Sequence, residues 1–235
     1  MHLRARHTLI FELFLASLTA WAQQPDEVAI IRDIDAASQS RFDHVLGFTD
    51  VEHYAVYRGK DQLHSAAEMT VRVTYKKGTG KTYQILSQSG SAIIHKFGLQ
   101  PLLDNEKAIN NPAKVAKSWI TSANYQMRLK HGAAEAIDGR TCLAVAISPR
   151  HKAPNMIEGT LWVDAHTHMQ VQVEGVASKS PSMFAGNTKM MRRYADMNGY
   201  AMATHARAES SSFFYGRTVV TIDYSDYHIQ LATAK

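Results

Sequence analysis

One short segment concentrates residue types that bind metals: Asp164, His166 and His168 form a D-x-H-x-H pattern. These side chains could hold a divalent cation if all three projected from one face of an extended segment. Residues 165–167 fall at a predicted hairpin turn, however, where the alternation of a strand is lost. We therefore interpret the histidines as exposed turn residues and predict neither a metal site nor a cofactor.

Two other patterns contain parts of enzyme motifs. Gly80-Lys81-Thr82 matches the end of a phosphate-binding loop, but the first glycine of that motif would stand at position 75, which is a tyrosine. Asp223, Ser225, Asp226 and His228 are residue types of a hydrolase triad. On a strand, however, Asp223 and Ser225 share one face while Asp226 and His228 share the other. An enzyme is therefore the least favoured class of function.

Charge and cysteine content bear on other classes of protein. The formal net charge is +5 over 235 residues, far below the basic footprint of a nucleic-acid-binding protein. We interpret the densest basic cluster, Lys189, Arg192 and Arg193, as a solvated strand face, with a peripheral contact to anionic lipid as the alternative. Cys142 is the single cysteine, so no intramolecular disulfide can form. Its alternation with alanines favours a small strand residue over a nucleophile.

The first 22 residues have the pattern of a secretory signal peptide. Arg4 and Arg6 precede an apolar run over 9–18, and Ala20 and Ala22 stand at the positions that a signal peptidase reads. We predict that residues 1–22 are the signal peptide, that 23–235 form one domain, and that the protein is periplasmic. The alternative, an N-terminal membrane anchor, requires a longer apolar span.

Cleavage is predicted after Ala22, because the small residues there directly follow the apolar run. The intact mass of the exported protein measures this, and we expect a chain that begins at Gln23. A chain that keeps residues 1–22 in the membrane would contradict the prediction.

Hydrophobic periodicity predicts two helical regions. Residues 26–46 repeat apolar positions at three- and four-residue spacing, and Gly47 marks the end. The second region, 91–104, is unusually apolar, is interrupted at Pro101, and precedes a short helix that reaches Trp119. In the first helix the predicted apolar face comprises Val28, Ile31, Ile34, Ser38, Phe42 and Val45, and the opposite face carries Arg32, Asp33, Asp35 and Arg41.

Period-two patterns and turn signals predict ten strands. The clearest is 66–76, and the others are 50–58, 81–88, 123–130, 140–148, 157–164, 168–177, 188–197, 200–210 and 217–230. Hairpin turns are expected at Asp138-Gly139, Asn198-Gly199 and 164–167. We therefore predict a mainly β (α+β) fold, a large curved antiparallel sheet or half-open β-barrel in meander order. The helices are expected to cover its concave face.

Short motifs follow one another in a recognisable order over 26–230. They are Ile93-Ile94-His95-Lys96, Pro101-Leu102-Leu103, Asn124-Tyr125, Ile137-Asp138-Gly139-Arg140, Cys142-Leu143-Ala144-Val145, Leu161-Trp162-Val163-Asp164 and Ile222-Asp223-Tyr224-Ser225-Asp226-Tyr227. In this order the chain resembles the LolA-like superfamily, the periplasmic outer-membrane lipoprotein-sorting proteins and their relatives. The resemblance implies a half-open barrel whose apolar concave face, lidded by helices, accepts acyl chains or other hydrophobic cargo.

The predicted function is therefore that of a non-enzymatic carrier or binding protein for acyl chains, an acylated lipoprotein or another hydrophobic ligand. Apolar burial at about 25 cal/mol per Å² would drive binding. The alternative is an envelope protein-interaction or stress-sensing module of the same fold, with an envelope protein as partner. The expected cavity and lid residues are Met69, Val71, Val73, Tyr75, Ile93, Ile94, Phe97, Leu102, Leu103, Tyr125, Met127 and Leu129.

Overall fold

The computed structural model describes residues 26–130, 134–153, 155–179, 187–212 and 216–233. The predicted signal peptide lies outside these residues, so its cleavage stays a prediction. The helical elements are α1 (Glu27–His44), α2 (Ala92–Ile94), a π-helical segment (His95–Leu99), α3 (Gln100–Ile109) and a 3-10 turn (Val115–Ser118). The strands are β1 (Val45–Arg58), β2 (Ala67–Lys76), β3 (Gly80–Gly90), β4 (Tyr125–Leu129), β5 (Glu135–Ile137), β6 (Arg140–Pro149), β7 (Ile157–Asp164), β8 (Gln170–Ala177), β9 (Lys189–Met197), β10 (Tyr200–Ser212) and β11 (Gly216–Leu231).

All strands of the described chain belong to one antiparallel sheet, in the order β3-β2-β1-β11-β10-β9-β8-β7-β6-β4, with β5 paired to β6. The edges β3 and β4 do not pair, so the sheet does not close into a barrel. The predicted fold class, a large antiparallel sheet with a few covering helices, is confirmed. The predicted uninterrupted meander is wrong at one step. Since the helical segment after β3 carries the chain away from that edge, the sheet is joined through β1 and the last strand, β11.

Two hairpin turns form at the dipeptides that predict them. Asp138 and Gly139 have φ angles of +49° and +76°, and Asn198 and Gly199 have +57° and +83°. Positive φ at both central positions is the geometry that Asn-Gly and Asp-Gly favour in two-residue hairpins. Strand β5, which the sequence did not predict, is the three-residue arm before Asp138.

Helix α1 begins where predicted and ends earlier. Oδ1 of Asp26 accepts hydrogen bonds from the Val28 and Ala29 amides at 3.0 and 3.3 Å, which caps the helix. The chain leaves the helix after His44 because Val45 already pairs with β11. The buried face of α1 is also rotated from the prediction. Ile30 and Ile34 are buried, whereas Val28 is 76% exposed.

The predicted interruption at Pro101 is replaced by a continuous change of helix type. The π-helical segment leads directly into α3, and Pro101 occupies the first turn of that helix. Proline is tolerated there because the first amides of a helix have no intrahelical acceptor. The described helices include none that is long and apolar enough to cross a membrane.

The two helical covers pack on different parts of the sheet. Leu99 and Leu103, from the segment around α3, are buried with Met69, Val71 and other side chains of β1 and β2. Ile30 and Ile34 of α1 are buried in a second cluster, with side chains of β4 and β6–β8. Because the two clusters are separate, α1 and α3 leave a space between them over the middle of the sheet.

Candidate functional site: a cavity between the sheet and its helices

A cavity of about 390 Å³ lies between the sheet and the two covering helices. Helix α1 lines it with Ala37, Ser38 and Arg41, and α3 lines it with Leu102 and Glu106. The remaining lining is mostly apolar and aromatic, and most of those side chains belong to β1, β2 and β8–β11. The volume lies within the usual range of small-molecule sites, roughly 300–1,000 Å³. This arrangement can enclose a ligand that is apolar over most of its length.

Charged side chains connect the sheet to α3 beside the cavity. Nζ of Lys81, on β3, lies 3.2 Å from Oε1 of Glu52 on β1 and 3.7 Å from Oε2 of Glu106 on α3. Nη2 of Arg192, on β9, lies 4.0 Å from Oε1 of Glu106. The Tyr54 hydroxyl donates to Oε2 of Glu52. We call these alternating cations and carboxylates, Glu52, Lys81, Glu106 and Arg192, the ionic network.

The cations of the ionic network stay protonated despite their burial. Burial alone would lower the pKa of Lys81, but the carboxylates of Glu52 and Glu106 raise that pKa well above its ordinary value. Burial would also lower the pKa of Arg192. The combined effect of Tyr224, Glu106 and other neighbours is larger than the effect of burial, so the pKa is raised. Lys81 and Arg192 are therefore both positively charged at neutral pH.

Neutral phenols surround the ionic network. Burial raises the pKa of Tyr54, Tyr83, Tyr224 and Tyr227 above the ordinary value of tyrosine. Tyrosines with raised pKa values carry no charge at neutral pH. They can donate hydrogen bonds to the carboxylates, but they cannot neutralise a cation.

Asp50 is a second buried carboxyl group, close to the ionic network. It is 1% exposed, and neither of its oxygens has a hydrogen-bond partner among the described residues. The nearby Tyr227 hydroxyl lowers the Asp50 pKa slightly, but it donates its proton to the Ala203 carbonyl, at 2.9 Å. Burial, and then the charge of Glu52, raise the pKa of Asp50 to about 7. The group therefore titrates near neutral pH.

Arg41 is a cation of the cavity without a counter-ion among the described residues. It lies on α1, partly buried, and no carboxylate of the described chain lies within 4.0 Å of its guanidinium. Its Nε atom is buried without a hydrogen-bond partner. Burial lowers the pKa of Arg41, and the positive charge of Arg192 lowers it further. Tyrosines such as Tyr194 partly counteract this decrease. An arginine remains charged even so, because its ordinary pKa is above 12.

The structure places the predicted ligand residues in three environments. Tyr75, Leu102 and Tyr125 line the cavity. Met69, Val71, Val73, Leu103 and Met127 are buried in the two cores, with Ile94 and Leu129 packed against them. Ile93 and Phe97 are 71% and 70% exposed. A role of any of these residues in ligand binding stays a prediction.

The expectation that the whole apolar segment 91–104 covers the sheet is wrong for Ile93 and Phe97. These residues stand four positions apart, so they share one helical face, and that face points to solvent. Leu99 and Leu103 share the face that packs on the sheet. A segment that is apolar on both faces does not reveal from its sequence which face the sheet will bury.

Sequence reasoning missed the charged residues of the site. Arg41 was assigned to the polar face of the first helix, but it stands seven residues after Ile34, two turns along the buried face. Arg192 was grouped with Lys189 and Arg193 on a solvated strand face. Lys189 and Arg193 are exposed, whereas Arg192 lines the cavity, because neighbours on a strand point to opposite sides. The spacing of Arg41 from Ile34 along the helix, and the alternation of side chains along β9, were thus the signals that could have placed Arg41 and Arg192 in the cavity.

The D-x-H-x-H segment forms the turn that was predicted for it. Oδ1 of Asp164 accepts hydrogen bonds from the amides of His166 and Thr167, each at 2.9 Å. Nδ1 of His168 lies 3.8 Å from Asp33 of α1. Among the described residues, no group of three or more His, Cys, Asp or Glu side chains is arranged to hold a metal ion.

The residues of the possible hydrolase triad and the single cysteine form contacts of a structural kind. Asp223 lies 2.6 Å from Nδ1 of His205, and the Ser225 hydroxyl donates to the Val51 carbonyl at 3.4 Å. Cys142 is fully buried, and burial raises the pKa of its thiol. These contacts do not assemble a nucleophile with a base.

Comparison with known proteins finds similarity at the level of structure. No family model and no curated protein matches the sequence. A DUF1329 family protein from Desulfovibrio piger is 14% identical, with a TM-score of 0.45 over 88% of this chain and 94% of that chain. A LolA superfamily protein from Nitrosomonas europaea is 15% identical, with a TM-score of 0.47 over 89% and 94%.

A third solved structure, a domain described as that of an outer membrane lipoprotein-sorting protein from Vibrio parahaemolyticus, is 12% identical. Its TM-score is 0.47 over 89% of this chain and 94% of that chain. The three structures cover 88–89% of this chain at 12–15% identity, and each TM-score is below 0.5.

Proposed function

We propose that this chain is an exported, non-enzymatic binding protein that shelters an acyl chain, free or carried by a lipoprotein, or a similar apolar ligand. The ligand would lie between the sheet and helices α1 and α3. The supporting observation is the cavity of about 390 Å³, since apolar side chains form most of its lining and two separately packed helices cover it. The predicted signal peptide is the reason for placing the protein in the periplasm.

Burial of the ligand supplies the free energy of binding in this proposal. At about 25 cal/mol per Å², an acyl chain of moderate length supplies several kcal/mol before ordering costs are subtracted. The helices provide access to the cavity. Because α1 and α3 pack in different core clusters, one of them can move from the sheet while the other stays in place.

Filling the cavity tests the proposal. Ala37 lines the cavity, whereas the adjacent Ala36 is exposed on the same helix. We expect Ala37→Trp to weaken binding of a fluorescent fatty-acid analogue at least about tenfold, because the indole occupies the volume that the acyl chain needs. Ala36→Trp adds the same side chain on the outside and should change the Kd less than about twofold. Fluorescence titration measures both values.

Two results would contradict the proposal: wild-type protein that binds no acyl probe, or an Ala37→Trp variant that is folded and binds as tightly as wild type. Circular dichroism of each variant checks the fold. Equal weakening by both tryptophans would place the ligand outside the cavity.

A second candidate, a protein-interaction module, is favoured by the exposed apolar side chains at one edge of the sheet. Ile85 and Leu86 of the edge strand β3 are 45% and 43% exposed. Ile93 and Phe97, on the helical segment that follows β3, are 71% and 70% exposed. Exposed apolar groups beside an unpaired strand edge are typical of interaction sites. Absence of acyl binding by the wild-type chain would favour this candidate.

A further inference from the structure

Arg41 presents an unbalanced positive charge to the cavity. The two cations of the ionic network, Lys81 and Arg192, are matched by two carboxylates, those of Glu52 and Glu106. Arg41 has no such partner among the described residues. A partly buried cation without a counter-ion is unfavourable, because it loses hydration and gains no charge pair in return.

The neighbours of Arg41 do not replace the missing anion. The titratable groups whose charges act on its guanidinium are Tyr194, Tyr227, Tyr75 and Arg192. Tyr75 and Tyr227 have raised pKa values and are neutral at ordinary pH, whereas Arg192 adds a second positive charge. The cavity therefore has a site, between α1 and β9, that favours a negatively charged group.

Guanidinium groups suit two kinds of anion in particular. The planar fork of N–H donors matches the two oxygens of a carboxylate or a phosphate. Arg192 already lies near one oxygen of Glu106, at 4.0 Å, and it lines the same cavity as Arg41. The rest of the lining is mainly apolar. A ligand that satisfies both parts of the cavity has one anionic end and one apolar end.

We propose that Arg41, together with Arg192, binds the anionic head group of an amphiphile, a carboxylate or a phosphate, while its hydrocarbon tail occupies the apolar part of the cavity. This inference rests on the proposed function and specifies its ligand class. Without ligand, Arg41 is an unpaired charge, and the anionic head group supplies the missing counter-ion.

Ligands with one tail and different head groups test this assignment. Dodecanoate, dodecyl phosphate and dodecan-1-ol share a twelve-carbon chain, and inorganic phosphate lacks the chain. We expect the full exported protein at pH 8 to bind dodecanoate and dodecyl phosphate at least about tenfold more tightly than dodecanol. Inorganic phosphate alone should bind much more weakly than dodecyl phosphate. Isothermal titration calorimetry below micelle formation measures all four affinities.

Substitution of Arg41 should remove the preference for anionic head groups over the neutral alcohol. In Arg41→Gln we expect dodecanoate and dodecanol to bind with Kd values within about threefold of each other. Arg72, on β2, is exposed, so Arg72→Gln changes the net charge equally and should keep the wild-type preference. Arg41→Lys retains the positive charge and should retain a reduced preference for anions.

The Tm of the ligand-free protein distinguishes a binding role of Arg41 from a structural role, because loss of a structural residue would lower the Tm. Removing an unpaired, partly buried cation should leave the Tm of Arg41→Gln equal to or above that of wild type. A fall in Tm, combined with loss of anion preference in Arg41→Lys, would mean that Arg41 maintains the fold, and would overturn the assignment.

The remaining outcomes separate this inference from the proposed function. Equal affinities of wild type for all three twelve-carbon ligands would overturn the inference while the carrier proposal stands. Absence of binding by any of them would overturn both. Inorganic phosphate binding as tightly as dodecyl phosphate would show an anion site that does not use the tail, and would overturn the amphiphile assignment.

Discussion

Lys81→Met is expected to lower the free energy of unfolding by about 3–5 kcal/mol at pH 7. The substitution removes the cation that lies between Glu52 and Glu106. Glu52 is 1% exposed, so its carboxylate would remain buried without a cation. Removing one partner of a buried ion pair costs far more than losing a surface pair, because the remaining charge keeps its desolvation penalty. Urea denaturation followed by circular dichroism measures the change.

A second substitution identifies the cause of this loss. In the double variant Lys81→Met, Glu52→Gln, the unpaired charge at position 52 is also removed, so we expect part of the stability to return. Lys76 is exposed at the end of β2, and Lys76→Met should change stability by less than about 0.5 kcal/mol. If the Lys81 and Lys76 variants were equally stable, the ionic network would not hold in solution.

Asp50→Asn is expected to raise the free energy of unfolding by about 2–4 kcal/mol at pH 8 and by clearly less at pH 5. The pKa of Asp50 is raised from 3.8 to about 7 in the folded protein, by burial and by Glu52. The folded state therefore holds a proton between about pH 4 and pH 7 that the unfolded chain releases. Its contribution to stability is present in acid and is lost as the pH rises through about 7.

The neutral amide of asparagine has no such loss at high pH. The difference in unfolding free energy between Asp50→Asn and wild type should thus grow from pH 5 to pH 8, as measured by urea denaturation at each pH. Asp104, exposed on α3, provides the control, because Asp104→Asn removes the same charge at the surface. A difference between Asp50→Asn and wild type that does not depend on pH would show that Asp50 is ionised throughout.

Buried ionisable groups in this fold are of two kinds: the paired groups of the ionic network, and the unpaired groups Arg41 and Asp50. The ionic network satisfies its own charges and connects α3 to the sheet, so it contributes to a closed cavity. Arg41 is left unsatisfied on the helix at the other side, and Asp50 avoids the cost of ionisation near neutral pH by holding a proton. Unpaired groups of this kind are unfavourable for folding, and a ligand that pairs with them gains affinity.

Local sequence determined the elements and the fold class of this protein. Alternation predicted strands close to β2, β7 and β9, and Asp138-Gly139 and Asn198-Gly199 predicted two hairpins, because those dipeptides tolerate the positive φ that a tight turn requires. The helical cover of the sheet also followed from periodicity. These features depend on residues that are neighbours in the chain, so the sequence alone was sufficient.

Only the tertiary structure decided which side chains face the cavity. In β1, Asp50 and Glu52 alternate with Val51 and His53, so strand periodicity does not identify the polar pair as the buried face. Pairing of β1 with β11, more than 150 residues later, fixes that choice. The same holds for Arg41 and Arg192, which line one cavity from α1 and β9. Contacts between distant segments set the orientation of these elements, and local periodicity carries no information about such contacts.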